Sequence, residues 1–214
     1  RLFAHLKIPR RVVVIGPNHT GAGAPIAVAP HEGWRTPLGD QALDMDLAER
    51  LLAAVPAAEP DSRAHWREHS IEVQLPCLMR RREDLVVLPV CLKRLSVGDC
   101  LELGSILAGI IRELGEPVGI VASSDMSHFQ PADVAHTQDH LAIDAALARD
   151  PAGLYEVVHR NRISMCGVIP ATVALAAANE LGAKDAHLVD YATSGDVTGD
   201  AGSVVGYAGV CIHR

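Results

Sequence analysis

Four short stretches of the sequence place side chains with metal-binding or proton-transfer chemistry in predicted loops. They contribute His19, the pair Glu68 and His69, the pair Asp125 and His128, and Cys166. Imidazole, thiolate and carboxylate groups together suit a divalent transition metal, and three protein ligands leave a coordination position open for water or substrate. The sequence therefore predicts a mononuclear metal site, formed by residues that lie far apart along the chain.

The first of these side chains follows a predicted buried strand. Residues 12–15 are four consecutive β-branched residues, which is typical of a strand covered on both faces. Gly16 and Pro17 end this strand, and His19 lies just beyond it. In open α/β sheets, ligands bind beyond the carboxyl ends of the strands. The sequence therefore predicts that His19 lies at the ligand-binding edge.

The other candidate residues lie at comparable positions. Asp125 and His128 follow a predicted strand at residues 118–123. A predicted helix at residues 67–81 carries Glu68 and His69 in its first turns. Cys166 precedes a predicted helix at residues 169–181, where the helix start is expected to lower the pKa of its thiol.

The order of elements predicts the fold class. Further strands are predicted at residues 26–29, 85–92, 188–193 and 204–212, the last two closing the sheet, and helices begin after residue 44 and at residues 97–114, 137–149 and 151–158. Pro89 indicates a sheet edge or a bulge. Alternation of strands with helices predicts an α/β, three-layer sandwich with a mostly parallel or mixed central sheet. The length of 214 residues fits a single domain over residues 1–214.

Composition narrows the function classes. The net charge of −7 argues against nucleic acid as a partner, because such binding depends on clustered Lys and Arg. No apolar run is long enough to span a bilayer and no leader-like stretch begins the chain, so we predict a cytoplasmic protein without a membrane partner. Five cysteines without a C-x-x-C pair indicate neither a disulfide framework nor a zinc knuckle.

Six motifs in order resemble the Memo family, whose bacterial and archaeal members are called AmmeMemoRadiSam system protein B. The resemblance covers nearly the whole chain. The motifs are GPNHT at residues 16–20, TPLGD at 36–40, EHSIEVQLP at 68–76, SSDMSHF at 123–129, CGVIP at 166–170, and GDVTGD to SVVGYAG at 195–209.

The resemblance implies a fold shared with class III extradiol ring-cleavage dioxygenases. It also implies that His19, His69 and Cys166 are the metal ligands. Asp125 corresponds to the pocket Asp of the family, and His128 to a histidine that either supports the ligands or acts as an acid/base, so both are candidate catalytic residues. Those dioxygenases use a carboxylate as the third ligand, whereas a thiolate favours iron, copper or zinc without choosing among them. Members of the family begin with a further N-terminal segment, so part of the pocket wall is expected to be absent.

Two functions remain open at this stage. One is a metal-dependent oxidoreductase, with iron or copper as the expected metal and zinc as a further candidate, in which His128 moves protons. The other is a non-catalytic module that binds a metal or a peptide and assists a radical-SAM protein partner. A third alternative, metal-assisted hydrolysis with Glu68 or Asp125 as base, ranks last because no phosphate-cradling loop is present.

Overall fold

The computed structural model describes residues 2–213, which form ten strands and eight helices. The strands are β1 (Arg11–Pro17), β2 (Ile26–Val28), β3 (Gly33–Thr36), β4 (Gly39–Ala42), β5 (Ala58–Pro60), β6 (Val86–Leu92), β7 (Val118–Ala122), β8 (His128–Gln130), β9 (Asp185–Thr193) and β10 (Val204–His213). The helices are α1 (Leu2–His5), α2 (Met45–Ala54), α3 (Leu75–Met79), α4 (Val97–Leu114), α5 (Ala132–Leu147), α6 (Pro151–Arg160), α7 (Val168–Glu180) and α8 (Gly195–Thr198).

The central sheet is mixed and has the strand order β5-β2-β6-β1-β7. Strand β1 pairs in parallel with both β6 and β7, while β2 runs antiparallel to β6. All seven residues of β1 are buried, as the run of β-branched residues predicts. Because β1, β6 and β7 run in the same direction, their carboxyl ends meet at one edge of the sheet.

Helices and loops cover both faces of this sheet. Side chains of alternating β1 residues such as Val13 and Ile15 pack with α2, α4 and α7, and those of Val12 and Val14 pack with α3 and the turns that precede it. The predicted three-layer α/β architecture with a mixed central sheet is confirmed. None of the helices in residues 2–213 is long and apolar enough to cross a membrane.

The last two long strands do not close the central sheet, so this part of the prediction is wrong. Strands β9 and β10 pair with each other, and β10 pairs with β8, forming a separate antiparallel sheet with the order β8-β10-β9. The elements themselves are close to the predicted residues 188–193 and 204–212. Their partners differ because strand pairing is set by packing over long sequence distances.

The prediction of a helix at residues 67–81 is also wrong, because only α3 is helical in this range. Arg67 has a φ of 64°, which is left-handed backbone and incompatible with a continuing α-helix. Pro76 lies in the first turn of α3, where its missing N–H costs no hydrogen bond. The preceding residues form turns that position Glu68 and His69.

Pro89 lies in the interior of the sheet rather than at the predicted edge or bulge. It belongs to β6, which is flanked by β1 and β2. The pairing of β2 with β6 stops at Val28 and Val90, one residue short of Pro89. The N–H of Ala29 still donates to the Pro89 carbonyl at 3.2 Å, so the missing N–H of Pro89 falls at the end of this pairing and interrupts no further bond of the ladder.

Candidate metal centre

His19 is positioned by a turn at the carboxyl end of β1. The N–H of Asn18 donates to the carbonyl of Leu92 at 2.9 Å, so pairing with β6 continues past the strand end. The side-chain oxygen of Asn18 then accepts from the Thr20 hydroxyl and the Gly21 N–H, at 2.9 Å each. This turn brings the His19 imidazole to the edge of the sheet, where it was predicted to lie.

Glu68 organises the turn that carries His69. Its carboxylate accepts the backbone N–H groups of His69 at 2.8 Å and Ser70 at 2.9 Å. The Ser70 hydroxyl donates to the Pro17 carbonyl at 2.9 Å, which ties the turn to the end of β1. A Cβ on Gly16 would lie 2.4 Å from the Ser70 hydroxyl oxygen, so this contact requires glycine at position 16.

His19, Glu68 and His69 form the first group of candidate metal ligands, with one donor atom from each lying within 4.8 Å of the others. The two imidazole rings stack with centroids 4.9 Å apart and an angle of 12° between the planes. The backbone N–H of His19 donates to Glu68 at 2.6 Å, and His19 Nδ1 lies 2.9 Å from Glu68 Oε1. Both histidines therefore lie beside one carboxylate.

The Glu68 carboxylate is buried and ionised. Burial raises its pKa, but hydrogen bonds from the His19 imidazole and from the N–H groups of Ser70 and His19 outweigh burial and hold the pKa at about 2. Glu68 is only 2% exposed. An ionised carboxylate accepts a hydrogen bond from the Nδ1–H of His19, which leaves the lone pair of Nε2 free to bind a metal.

Asp125, His128 and Cys166 form the second group, again with one donor atom from each within 4.8 Å of the others. The N–H of Asp125 donates to Cys166 Sγ at 3.1 Å, and the N–H of Gly167 donates to the Ser124 hydroxyl at 2.9 Å. A Cβ on Gly167 would lie 2.3 Å from the Ser123 carbonyl oxygen. Glycine at position 167 therefore lets the Cys166 loop pack directly against the chain that leaves β7.

His128 has a fixed orientation within this group. Its backbone N–H donates to the Ser164 hydroxyl at 2.7 Å, and its ring atom Nδ1 lies 2.8 Å from the Ser164 carbonyl oxygen. Because a carbonyl only accepts, Nδ1 carries the proton in the neutral ring, and Nε2 is the basic nitrogen. Nε2 lies 3.7 Å from Asp125 Oδ2, so the basic nitrogen faces a carboxylate.

The pKa of the Cys166 thiol is raised, contrary to the lowered value expected from its place before α7. Burial is the main cause, and it outweighs the hydrogen bonds from the Asp125 N–H and the Ser124 hydroxyl. Gly167, not Cys166, is the N-cap of α7. The thiol is thus stable in its neutral form until a cation compensates for the loss of its proton.

The two groups lie at the carboxyl ends of the neighbouring strands β1 and β7. A side-chain hydrogen bond of 3.0 Å from Gln74 Nε2 to Ser123 Oγ links the segment carrying His69 to the segment carrying Asp125. The predicted ligands His19 and His69 come from the first group, whereas Cys166 comes from the second together with both predicted acid/base residues. Their joint binding of one ion stays a prediction.

Three contributors to this arrangement were not predicted in their roles. Glu68 was predicted as one of the candidate metal-binding side chains and as a possible base, but not as the carboxylate that holds the first group together. Ser164 fixes the orientation of His128, and Gln74 connects the two groups. Glu68 directly precedes His69 in the sequence, and this adjacency could have indicated its role. The contacts of Ser164 with His128 and of Gln74 with Ser123 join residues that are distant in sequence, so they are visible only in the folded chain.

Fold and site together define an α/β protein with imidazole, carboxylate and thiol groups at the carboxyl edge of a mixed sheet. The chain belongs to the Memo family, since the family model described as Memo-like protein matches residues 2–211. The predicted family membership is therefore confirmed.

Relatives in archaea and bacteria support this assignment. A MEMO1 family protein of Methanopyrus kandleri is 39% identical over 215 residues, a match that covers 100% of this chain and 76% of the relative. A MEMO1 family protein of Aquifex aeolicus is 41% identical, and the match covers 98% of this chain and 78% of the relative. The chain thus corresponds to about three quarters of the length of each of these relatives.

A solved structure shares the fold. The crystal structure of the uncharacterized protein JW3007 from Escherichia coli K12 superposes with a TM-score of 0.64 over 96% of this chain and 88% of that chain. The sequence identity is 16%, so this similarity concerns the fold alone.

Proposed function

We propose that the protein binds one metal ion at the carboxyl edge of the central sheet and carries out oxidoreductase-type chemistry on a small molecule there. The observation that carries the proposal is the buried, ionised Glu68 beside His19 Nδ1. Metal-binding imidazoles commonly donate their second ring N–H to a carboxylate, which fixes the tautomer and makes the free nitrogen a better ligand. The stacked His69 lies next to the same carboxylate.

His19, His69 and Cys166 are the proposed ligands. Two imidazole nitrogens and one sulfur suit iron or copper, with zinc as a further candidate. When bound, such an ion would polarise a substrate or exchange electrons with an oxidant. Three protein ligands would leave a position for that substrate.

His128 and Asp125 are the proposed proton-handling residues. The Nδ1–H of His128 donates a hydrogen bond to the Ser164 carbonyl, so proton exchange takes place at Nε2. Asp125 Oδ2, at 3.7 Å, stabilises the imidazolium that forms when Nε2 accepts a proton. The imidazole is half-buried, with 25% of its side chain exposed, which leaves it accessible to a substrate.

The ligand assignment is tested by anaerobic purification followed by elemental analysis. We expect His19→Ala, His69→Ala and Cys166→Ser each to lower the metal content by about tenfold or more. Cys77→Ser is the matched control, because Cys77 is an exposed thiol on α3 outside both groups. Equal metal content in Cys166→Ser and the wild type would refute the assignment of the thiol.

The catalytic assignment is tested by dioxygen uptake with a panel of catechols. We expect His128→Ala to retain the metal but to lose turnover by at least about 100-fold. His159→Ala, which removes an exposed imidazole on α6, serves as control. Full activity of His128→Ala would exclude His128 as the proton-handling group.

A second candidate function, a non-catalytic module that docks a peptide, is favoured by two exposed aromatic residues. Trp66 is 72% exposed and lies two residues before Glu68, and Phe129 is 77% exposed and follows His128 directly. Such rings are frequent anchors in protein interfaces. Metal binding without turnover of any catechol, together with capture of a radical-SAM protein that is lost in Trp66→Ala, would favour this function over the first.

A further inference from the structure

Asp139 is a fully buried carboxylate in α5, next to the segment that carries Asp125 and His128. Its exposed fraction is 0%. Its Oδ1 accepts the backbone N–H of Ser127 at 2.8 Å, and its Oδ2 accepts the hydroxyl of Tyr191 at 2.8 Å. Burial of a carboxylate is costly unless hydrogen bonds compensate for it, so its presence at this position calls for a specific role.

The segment from Asp125 to His128 is held by four consecutive backbone N–H groups that donate to four different parts of the chain. The acceptors are, in order, Cys166 Sγ at 3.1 Å, the Gly206 carbonyl at 2.9 Å, Asp139 Oδ1 at 2.8 Å and the Ser164 hydroxyl at 2.7 Å. Residues 123–127 belong to no helix or strand. These four bonds therefore fix the backbone here in place of a regular ladder.

Asp139 is the only carboxylate among the four acceptors. Hydrogen bonds to a carboxylate are roughly twice as strong as those between neutral groups. Ser127, which donates to Asp139, is 0% exposed, so its N–H has no access to bulk water as a replacement acceptor. The bond from Ser127 to Asp139 is therefore the one that the segment can least easily replace.

Tyr191 fixes the orientation of the Asp139 carboxylate. The imidazole rings of His136 and His140 on α5 contact the Tyr191 ring edge to face, with centroids 5.4 and 5.1 Å away. Burial and the hydrogen bond to Asp139 raise the pKa of Tyr191, so its hydroxyl keeps its proton and remains a donor. Asp139 is thus held by Tyr191 on one oxygen and holds Ser127 with the other.

Gly206 makes room for this carboxylate. A Cβ at position 206 would collide with Asp139 Oδ2 and lie 3.2 Å from the Met126 Cβ. The same glycine accepts the Met126 N–H and donates to the Ser127 carbonyl, both at 2.9 Å. Glycine at position 206 therefore lets Asp139 and the start of β10 reach the same two residues of the segment.

The held segment leads into strained backbone. Phe129, directly after His128, has a φ of 57°, which is left-handed backbone that a bulky residue rarely adopts. The Phe129 side chain is 77% exposed, so this conformation brings no burial of the ring. Such strain persists only where surrounding contacts enforce it, and it is common at functional sites. The contacts at Ser127 and His128 are thus the ones that enforce it.

We propose that Asp139 and Tyr191 are positioning residues, which hold the backbone at Ser127 so that His128 Nε2 faces Asp125 Oδ2. The inference rests on the proposed function, in which His128 and Asp125 handle protons. Asp139 acts through the Ser127 N–H and Tyr191 acts through Asp139, so neither residue has to contact a substrate. Loss of either should misplace His128 without removing any proposed metal ligand.

The tautomer of His128 in the metal-free protein gives the first test, measured from the nitrogen chemical shifts of the ring at about pH 8. In the wild type we expect one form, protonated at Nδ1, which faces the Ser164 carbonyl. Asp139→Ala leaves the buried Ser127 N–H without its acceptor, so the segment should shift and both tautomers should appear. Asp139→Asn keeps an acceptor for Ser127 and a donor for Tyr191, so it should retain the wild-type form.

A single Nδ1–H form in Asp139→Ala, or a mixture in the wild type, would overturn the proposal. Should Asp139→Ala not fold, Tyr191→Phe carries the same test, because it removes one oxygen atom and frees one side of the carboxylate. We expect it to shift the tautomer in the same direction by a smaller fraction. An unchanged tautomer in Tyr191→Phe would then overturn the proposal.

Ile143→Ala is the control for a general loss of stability. Ile143 lies on α5, is 2% exposed and packs in the same apolar cluster as Met126. Its truncation should lower the unfolding midpoint but leave the His128 tautomer unchanged. A tautomer change as large as that in Asp139→Ala would show that loss of stability is the cause, and it would overturn the positioning role.

Turnover separates this proposal from the proposed function. With a catechol that the wild type consumes, Asp139→Ala should lower kcat at least about tenfold, while KM and metal content stay within about twofold. A wild type that consumes no catechol would refute the proposed function, whereas the tautomer would still decide the positioning role. An unchanged kcat and an unchanged tautomer in Asp139→Ala would overturn the positioning role alone.

Discussion

The imidazole of His19 and the carboxylate of Glu68 are joined by a contact of 2.9 Å between Nδ1 and Oε1, although 49 residues separate them in sequence. Glu68 also accepts backbone N–H groups from His19, His69 and Ser70. One buried carboxylate thus fixes both the orientation of His19 and the turn that presents His69. Its removal should therefore affect metal binding without changing any proposed ligand.

We predict that Glu68→Gln lowers metal affinity by about 10- to 100-fold, which is the usual effect of losing the outer partner of a metal-binding histidine. Gln keeps the size of the side chain but not its negative charge. Glu72→Gln, which changes an exposed carboxylate in the same segment, is the control. The measurement is competition with a chelator of known affinity, and unchanged affinity in Glu68→Gln would contradict the role assigned to this carboxylate.

A second prediction concerns the buried ion pair at the opposite end of β1. Arg11 donates to Asp44 at 2.6 and 2.7 Å, and it also contacts Asp46 and Glu116. The side chain of Asp44 is 2% exposed. Asp44 is the N-cap of α2, a position that Asn fills equally well, so Asp44→Asn changes the charge but keeps the cap.

We expect Asp44→Asn to lower the free energy of unfolding by about 3 kcal/mol, because it removes the most buried partner of a buried guanidinium. The exposed pair of Arg35 and Asp40, 3.5 Å apart with 91% and 74% of the side chains exposed, provides the comparison. Asp40→Asn should change stability by less than about 1 kcal/mol. Denaturant unfolding measures the free energy of unfolding of both variants. Similar losses of stability in Asp44→Asn and Asp40→Asn would refute the greater contribution assigned to the buried ion pair.

Local sequence signals predicted the elements that depend on local interactions. Helix α4 begins and ends where the pattern predicts, because Ser96 and Asp99 form a capping box at its start and Gly115 adopts the left-handed conformation at its end. The buried strands β1 and β6 were predicted from runs of β-branched and aliphatic residues. These signals need no knowledge of distant contacts.

Predictions failed where contacts distant in sequence decide the structure. The apolar spacing at residues 67–81 suggests a helix, but Glu68 takes up backbone N–H groups and reaches His19, which favours turns. The choice of β9 as partner for β10 is likewise set by packing. The side chains at the strand ends were predicted as a set, whereas their division into two groups depends on side-chain contacts that the sequence does not specify.

A third prediction concerns the pH dependence of stability. Burial lowers the pKa of His65 from its ordinary value of 6.5 to about 4. The proximity of His31 also lowers this pKa. A backbone hydrogen bond with Ala27 and the negative charges of Asp61 and Glu68 raise it, but their combined effect is smaller than that of burial. Between these pH values the unfolded chain binds a proton at His65 that the folded protein does not bind. Stability therefore falls as the pH falls from about 6.5 to about 4, by up to about 3 kcal/mol.

We expect His65→Gln to reduce this slope, measured as the free energy of unfolding at intervals between pH 7 and pH 4. Glu68 and Asp61 have lowered pKa values, so their contributions fall as the pH drops through and below their ordinary values of 4.5 and 3.8, and both groups remain in the variant. His159→Gln, which removes an exposed imidazole, should leave the slope unchanged. A slope in His65→Gln equal to that of the wild type would show that other groups cause it.

The last prediction concerns the contact between α4 and α7, which support the central sheet beneath the strand ends. A Cβ on Gly104 would lie 2.6 Å from the Ala176 Cβ and 2.8 Å from the Val173 carbonyl oxygen, so the two helices can approach this closely only with glycine at position 104. Gly109 lies on the same helix, and a Cβ there would meet no atom within 4 Å.

Gly104→Ala should therefore destabilise the protein by about 1–3 kcal/mol through overpacking. Gly109→Ala should stabilise it by up to about 1 kcal/mol, because alanine has the higher helix propensity. Thermal and denaturant unfolding of both variants measures the difference, and a change of the same sign in the two would show that the helix contact is not limiting.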